Sequence, residues 1–502
     1  MPAGDNLLII FKRILRGIDT MNKNDKKKRK LIMPLLLSSL PLLLAHQALA
    51  GGDGPPAYEE CSVPSYGAPS YVAAPLHVDG QYIKDQQGRV VILRGVNMAG
   101  DSKVPPFMPI TSASMLDPLP AMGVNTVRLL FTWEAFEPTR CDYDEAYMQY
   151  YEQVVDWAAQ HNLYVIVDFH QDAYSRFSID GCGEGFPSWA VTSRVDLKTP
   201  DNGEACSGWG TKMIFDTSHH DTWHDFHADT EGVKSRYIDM VTYVSDRMAK
   251  HSNVVGYELI NEPWGTDSEL ADLYNAVGPA IRSRHPNSIL FVPPHALVSS
   301  GGPDNNIPKP NFGNFVYSPH FYDASVIMFK AWLGTDPSGS LNKMANKASS
   351  WGVPMLLGEY GAPAGTSNVS GYMDALNGWL NKGFVSGTQW NYTPGWRADI
   401  KDGWNAEDLS IVDDNGNLRA NFKLRPEPVD IAGTPVSFTE TDSKMTLSWT
   451  HKTGIGATTV FIPAGYANGK QLSTTGGAQC SLGGTVLSCT ASNGAQVSVT
   501  LQ

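Results

Sequence analysis

Two glutamates stand at the ends of two apolar segments. Tyr257-Glu258-Leu259-Ile260-Asn261-Glu262-Pro263-Trp264 begins as a short strand and ends in an Asn-Glu pair closed by proline. Val353-Pro354-Met355-Leu356-Leu357-Gly358-Glu359-Tyr360 repeats the arrangement with Glu359. Paired carboxylates at strand tips are what retaining glycoside hydrolysis needs, one to protonate the leaving oxygen and one to attack the anomeric carbon. The acid must hold its proton near neutral pH, while the nucleophile must stay ionised. Asn261 sits beside Glu262, placed to hydrogen-bond a sugar hydroxyl. Arg128 lies in the apolar run Asn125-Thr126-Val127-Arg128-Leu129-Leu130 and needs a carboxylate partner there. An ordinary buried ion pair is the bland reading of that arginine.

Other strand ends carry chemistry as well. Val167-Asp168-Phe169-His170-Gln171-Asp172 alternates apolar with ionisable side chains, so Asp168 and His170 face the same way. Tyr317-Ser318-Pro319-His320-Phe321-Tyr322 ends with a histidine and a tyrosine. Gln389-Trp390-Asn391 offers a flat ring under the apolar CH face of a sugar. Packing explains any one of these residues. It does not explain so many strands ending in polar or aromatic groups.

The elements that carry these residues alternate. Apolar strand candidates are Val90–Val96, Thr126–Phe131, Tyr164–Phe169, Val254–Ile260, Ile289–Val292, Phe315–Ser318, Met355–Gly358 and Phe384–Trp390. Helical patterns lie between most of them, at Asp144–Gln160, Val233–Lys250, Ser268–Ser283 and Gly371–Lys382. Continuous apolar strands alternating with helices predict a parallel sheet covered on both faces. Eight units favour a closed (β/α)8 TIM barrel, whose catalytic groups sit at the C-terminal strand ends. No glycine-rich dinucleotide fingerprint follows the first strand. The long loop from Gln171 to Thr230 holds His219, His220, His224 and His227. Without a matching Cys or carboxylate pattern these read as solvated or stacking histidines, not metal ligands. Residues 429–502 turn to Thr, Ser, Gly and Val with period-two alternation, as in Met445-Thr446-Leu447-Ser448-Trp449, and predict an antiparallel β-sandwich domain. The expected organisation is an N-terminal extension and signal peptide over 1–50, a linker over 51–77, the barrel over 78–428 and the sandwich over 429–502.

The 502 residues are 42% hydrophobic and 18% charged, enough for a large core and a second domain. Lys26-Lys27-Lys28-Arg29-Lys30, an apolar run to Ala45 and Ala48-Leu49-Ala50 form a secretory signal with cleavage after Ala50, so the protein is expected to be secreted. Met21 opens that signal, leaving Met1 to Thr20 as an extension. A membrane anchor is disfavoured by the short run and by Pro34 and Pro41. The net charge is −13, and the first fifty residues are basic, so the remainder is more acidic still. That excludes nucleic acid as a natural partner. Six cysteines in an exported chain suggest disulfides. Cys480–Cys489 and Cys182–Cys206 are the local pairs, leaving Cys61–Cys141; free buried thiols are the other reading.

With these motifs assembled, the chain resembles glycoside hydrolase family 5 of the cellulase superfamily and, within it, the endoglycoceramidases. The resemblance runs from about Val78 to the C-terminus. Asn-Glu-Pro, Gly-Glu-Tyr-Gly and the Arg, His and His-x-Tyr elements carry the superfamily. Asp168-Phe169-His170-Gln171-Asp172-Ala173-Tyr174-Ser175, Pro394-Gly395-Trp396, Phe422-Lys423-Leu424-Arg425-Pro426 and the sandwich carry the subgroup. The resemblance implies a retaining endo-β-glycosidase that separates the oligosaccharide of a glycosphingolipid from its ceramide, with no metal or organic cofactor. It implies Glu262 as acid/base and Glu359 as nucleophile. Lys103, Asp168, His170, Asn261, Tyr322 and Trp390 would bind the sugar, and Arg128 and His320 would set the geometry and charge of Glu359. The chain departs from the family at Gln389-Trp390-Asn391-Tyr392 and over Gly181–His227, loops that by the resemblance would line the outer sugar and lipid sites. The competing readings are a family 5 hydrolase of β-glucan or of simple glycolipids such as glucosylceramide or galactosylceramide, and a non-catalytic sugar- or lipid-binding protein. A lipid substrate calls for an apolar groove and transient contact with a membrane or micelle, for which Phe107, Met108, Met328, Phe329, Trp332 and Leu333 are candidates. The sandwich would bind a surface or buttress the barrel.

Overall fold

The computed structural model describes residues 61–62 and 65–502. The expected extension, signal peptide and cleavage point lie outside the described residues. Eight parallel strand positions form the central sheet: β1 Arg94–Met98, β2 Thr126–Thr132, β3 Tyr164–His170, β4 Val254–Glu258, β5 Ile289–Val292, β6 Phe315–Tyr317 continued by His320–Phe321, β7 Leu356–Tyr360 and β8 Ser386–Tyr392. Pro319 has no backbone N–H, and β6 breaks there. A parallel bridge between Tyr317 and Met355 joins β6 to the start of β7, and β8 pairs with β1, so the sheet closes into a barrel. Most strands are buried along their whole length, as two-sided coverage by helices requires.

The four expected helices form, as α1 Glu145–Gln160, α3 Val233–Met248, α4 Asp267–Arg284 and α7 Val369–Gly383. Among the others, α2 Thr217–His227 lies inside the stretch expected to be a loop, and α5 Ala324–Phe329 and α6 Ser338–Trp351 precede β7 in the chain. Asp144 caps α1 by accepting from the N–H groups of Ala146 and Tyr147, which contributes about 1 kcal/mol. Thr266 and Glu269 form a capping box at α4, just past Glu262. This fixes where the chain leaves the mouth of the barrel after β4. Among the described residues, no helix is long and apolar enough to cross a membrane.

The expectation for the first strand needs correction. Val90–Val91 is not part of the barrel. It pairs antiparallel with β9, Glu427–Ile431, and the barrel strand begins at Arg94. A hairpin of Leu76–Asp79 and Tyr82–Asp85 continues the same sheet. Leu76, Ile83, Val91 and Leu93 pack against Ile166, Val255, Ile289, Phe291, Val316 and Leu356, sealing the N-terminal end of the barrel. The C-terminal sandwich therefore borrows strands from the start of the fold. Its seven-stranded sheet faces a four-stranded one built from Gly433–Glu440, Met445–His451, Gln496–Leu501 and Leu472–Thr474. Trp449, Phe438, Leu447 and Val499 fill the space between them. Arg425 bonds Asp374 on α7 and Glu440 in the sandwich, so the domain is docked, not tethered. Disulfides join Cys61 to Cys141, Cys182 to Cys206 and Cys480 to Cys489.

Candidate active site

Arg128 is the hub of the barrel mouth. It is wholly buried on β2 and needs partners for every N–H. Its Nε donates to Glu258 Oε2 at 2.8 Å, and its Nη1 donates to Asn97 Oδ1 at 2.7 Å and to Glu359 Oε1 at 2.9 Å. Nη2 donates to Asn261 Oδ1 at 2.7 Å, and Asp168 Oδ2 lies 3.0 Å from Nη1. One guanidinium thus ties together β1, β2, β3, β4 and β7. Each of those carboxylates would be costly in the interior without it.

Glu262 sits in the turn after β4 with φ +35°, a left-handed conformation that non-glycine residues rarely hold. Gln171 fixes that turn by donating through Nε2 to the carbonyl oxygens of Asn261 at 2.6 Å and Glu262 at 3.1 Å. The Glu262 carboxyl receives two donors on one oxygen. Ser299 Oγ lies 2.6 Å and His320 Nδ1 2.9 Å from Oε1. Glu359 is held on both oxygens, Oε1 by Arg128 and Oε2 by the Tyr322 hydroxyl at 2.9 Å. His320 stands in register with Glu359, and its Nδ1 is 3.5 Å from Glu359 Oε2. Facing oxygens of Glu262 and Glu359 and a ring nitrogen of His320 all fall within 4.8 Å of one another.

Burial and charge pull against each other here. Burial pushes the Glu359 carboxyl above the ordinary carboxylate range; His320 and Arg128 oppose that, and Glu262 adds to it. Burial alone would lower His320, yet Glu359, Glu258 and Glu262 together raise it to about 10. The imidazole is therefore charged at neutral pH and carries a proton on each nitrogen.

Beside this pair lies a second charged cluster. His170 Nδ1 is 2.6 Å from Asp168 Oδ2, and its ring stacks on Trp390 with centroids 5.4 Å apart. Lys103 is 2% exposed. Its ammonium sits between the rings of Trp390 and Trp404, 2.6 Å from Asp172 Oδ2 and 3.5 Å from Glu407 Oε2. Burial lifts Glu407 to about 7 and Glu184 to about 8 against the pull of Lys103 and His170. His170, Asp172 and Glu184 are spaced closely enough to share a cation. The Lys103 ammonium already supplies positive charge to Asp172.

All ten residues singled out in the sequence thus fall in one connected network: Lys103, Arg128, Asp168, His170, Asn261, Glu262, His320, Tyr322, Glu359 and Trp390. Trp390 is 2% exposed, with His170 and Lys103 against its ring. The motifs missed Glu258, Ser299, Asp172, Glu184 and Glu407. Glu258 carried a signal, since an acid inside an apolar strand demands a partner just as Arg128 does. Ser299 and Glu407 lie on loops and carried none.

The histidines of the long loop stack on aromatics. His220 lies parallel to Trp264 at 4.8 Å and His227 stacks on Trp223, while His224 faces solvent. Of the apolar candidates, Met328, Phe329 and Leu333 are 69%, 66% and 71% exposed on and just after α5, and Met108 is partly exposed. Ile327, which the sequence did not single out, joins them. Phe107 and Trp332 pack against the core instead.

The model of the cellulase family, glycosyl hydrolase family 5, matches residues 84–395, and that of the glycoside hydrolase family 5 C-terminal domain matches residues 425–501. Endoglycoceramidase I of Rhodococcus hoagii is 28% identical over 269 residues, 49% of this chain and 52% of that protein. An endoglycoceramidase of Cyanea nozakii is 30% identical over 212 residues, 37% of this chain and 41% of that protein. The chain therefore aligns with about half the length of these relatives. In fold, it matches endo-glycoceramidase II from Rhodococcus sp. in its ganglioside GM3 complex, with a TM-score of 0.72 and 22% identity, over 84% of this chain and 99% of that one.

Proposed function

The chain belongs to glycosyl hydrolase family 5, and we propose that within it the protein is a retaining endo-β-glycosidase that cuts the bond between the oligosaccharide and the ceramide of glycosphingolipids. The observation that carries retention is the closeness of the two carboxylates. Their facing oxygens lie within 4.8 Å. Inversion needs roughly 6.5–9.5 Å to admit a water between them, whereas direct attack on the anomeric carbon needs roughly 5 Å.

The geometry supports one role for each. Both donors to Glu262 fall on Oε1, which leaves Oε2 to carry the proton for the leaving oxygen. Glu359 is braced by a guanidinium and a phenol, the support an attacking carboxylate needs. Glu359 adds to the anomeric carbon as the C–O bond to ceramide breaks, and the ceramide oxygen takes the Glu262 proton. Glu262, now a carboxylate, takes a proton from the water that releases the glycan and regenerates Glu359. Asn261, Asp168, His170, Lys103 and Trp390 line the sugar side.

The lipid side rests on the similarity to two endoglycoceramidases and on the exposed Met328, Phe329 and Leu333, which follow Tyr322 along the chain. Such a surface fits brief contact with a membrane or micelle. Secretion is part of the same proposal, supported by three disulfides that an oxidising compartment would maintain.

Mass analysis of a ganglioside digest tests the substrate. Intact glycan and free ceramide are expected. Removal of single terminal sugars, or cleavage of soluble β-glucan with the ganglioside untouched, rejects the proposal.

A further inference from the structure

Glu258 stands four positions before Glu262, inside the barrel on β4, and is wholly buried. Its Oε2 accepts from Arg128 Nε at 2.8 Å. Its Oε1 has no hydrogen-bond partner, nor has His320 Nε2, and these two buried atoms face each other across 3.7 Å. An approach of under about one ångström turns that gap into a hydrogen bond. The opposite nitrogen of the same ring, Nδ1, is 2.9 Å from Glu262 Oε1 and 3.5 Å from Glu359 Oε2. The imidazole therefore lies between Glu258 on one side and both members of the carboxylate pair on the other.

We propose that Glu258 is a positioning residue of the hydrolysis: its carboxylate holds the Nε2 proton of His320, so that the Nδ1 proton stays aimed at Glu262 and Glu359. A neutral imidazole has a single N–H. If that proton sits on Nε2, Nδ1 becomes an acceptor facing two carboxylates. If it sits on Nδ1, Nε2 turns a lone pair toward Glu258. Only the doubly protonated ring suits both sides, and Glu258 supports that form from the Nε2 side as Glu359 and Glu262 do from the Nδ1 side. The reading rests on Glu262 and Glu359 being the working pair.

The charges around Glu258 agree. Arg128 comes from β2, and Asp168 stands beside Glu258 in register on β3. His320 comes from β6, and the Tyr237 and Tyr274 rings of α3 and α4 feel the charge of Glu258. Glu359 reaches it through Arg128 and His320, and Glu262 through His320. Burial would push Glu258 up, but Arg128 and His320 outweigh it and hold the carboxyl below its ordinary value. Glu258 is therefore charged wherever the enzyme is folded at neutral pH.

The test uses the full chain with ¹⁵N-labelled imidazoles, following the charge of His320 against pH in the wild type, Glu258→Gln and Glu258→Asp. The wild-type ring should keep its charge to high pH, losing it near about 10. In Glu258→Gln it should lose it at least about one pH unit lower. Glu258→Asp should track the wild type. On a soluble aryl β-glycoside, the ratio of wild-type to Glu258→Gln kcat should widen as pH rises from about 6 to about 9, as the neutral ring appears. A purely structural role predicts a loss that does not vary with pH. An unchanged His320 titration, or a flat ratio, overturns the proposal. If Glu258→Gln does not fold, the wild type decides alone, because a His320 already neutral near about pH 8 overturns it too. The titration needs no turnover, so failure of the substrate assignment is read separately.

Discussion

The Ser299 hydroxyl lies 2.6 Å from Oε1 of Glu262, on the oxygen that also faces His320. Ser299 comes from the loop after β5, and Tyr322 N–H donates to its carbonyl, so one residue links the loop, the acid and the β6 end. Ser299→Ala leaves His320 as the only donor on that oxygen and frees the carboxyl to rotate. Hydrolysis of the glycolipid should fall about tenfold, the worth of one hydrogen bond to a charged group. An aryl glycoside whose leaving group needs no proton should be barely affected. Steady-state rates on the two substrates check this, and equal losses on both would refute the orienting role.

Glu359 makes a different demand. Glu359→Gln keeps the size of the side chain and removes the attacking charge. Turnover should fall by about four orders of magnitude or more, since the amide that replaces the carboxylate cannot form the glycosyl ester. A slow 2-deoxy-2-fluoro glycoside should add one sugar mass to the wild type and none to the variant. A mass adduct on Glu359→Gln would move the nucleophile elsewhere.

The barrel was legible because its strands are unbroken apolar runs, and Arg128 because a cation inside such a run must be paired. Glu258 obeys the same logic from the opposite sign. Val90–Val91 pairs outside the barrel for a reason no local pattern carries. An apolar dipeptide next to a barrel strand says it is buried and does not say in which sheet. Its partners Asp430 and Ile431 lie more than 300 residues away. Ser299 and Glu407 were invisible for a related reason, since loop residues acquire roles only when the fold brings them to the mouth. Lys103 came from the family resemblance alone, and its burial between Trp390 and Trp404 depends on a loop past β8 that has no periodicity to read.

The packing around Trp264 should weaken in acid. Burial holds His219 at about 3 and His295 at about 4 against an ordinary 6.5. Both flank Trp264, two residues past Glu262. A base with a depressed folded value stabilises the fold at high pH, because the unfolded chain gains protons that the native state refuses. That stability is full above about 6.5 and drains as pH falls toward the folded value, by roughly 1.4 kcal/mol per pH unit and histidine. At about pH 5 each residue should have lost about 2 kcal/mol. Denaturant unfolding from neutral to acid pH checks this, with His219→Leu expected to show the shallower decline. Parallel curves for variant and wild type would show that His219 does not titrate this way.

Met328, Phe329 and Leu333 are exposed on one short stretch that begins two residues after Tyr322, whose hydroxyl braces Glu359. Leaving three large apolar side chains in water has no stabilising purpose, whereas each gains about 1.5–3 kcal/mol on entering hydrocarbon. If they steady the enzyme on lipid, changing all three to serine should raise KM for a ganglioside in vesicles by at least about a hundredfold. The same variant should hydrolyse a soluble aryl glycoside at close to the wild-type rate, since none of the three touches Glu262 or Glu359. Vesicle flotation separates this from a defect in chemistry, because the variant should stay in the soluble fraction where the wild type rises with the lipid. A triple variant that still floats and retains its KM on vesicles would leave the stretch without a lipid role and shift attention to the docked sandwich.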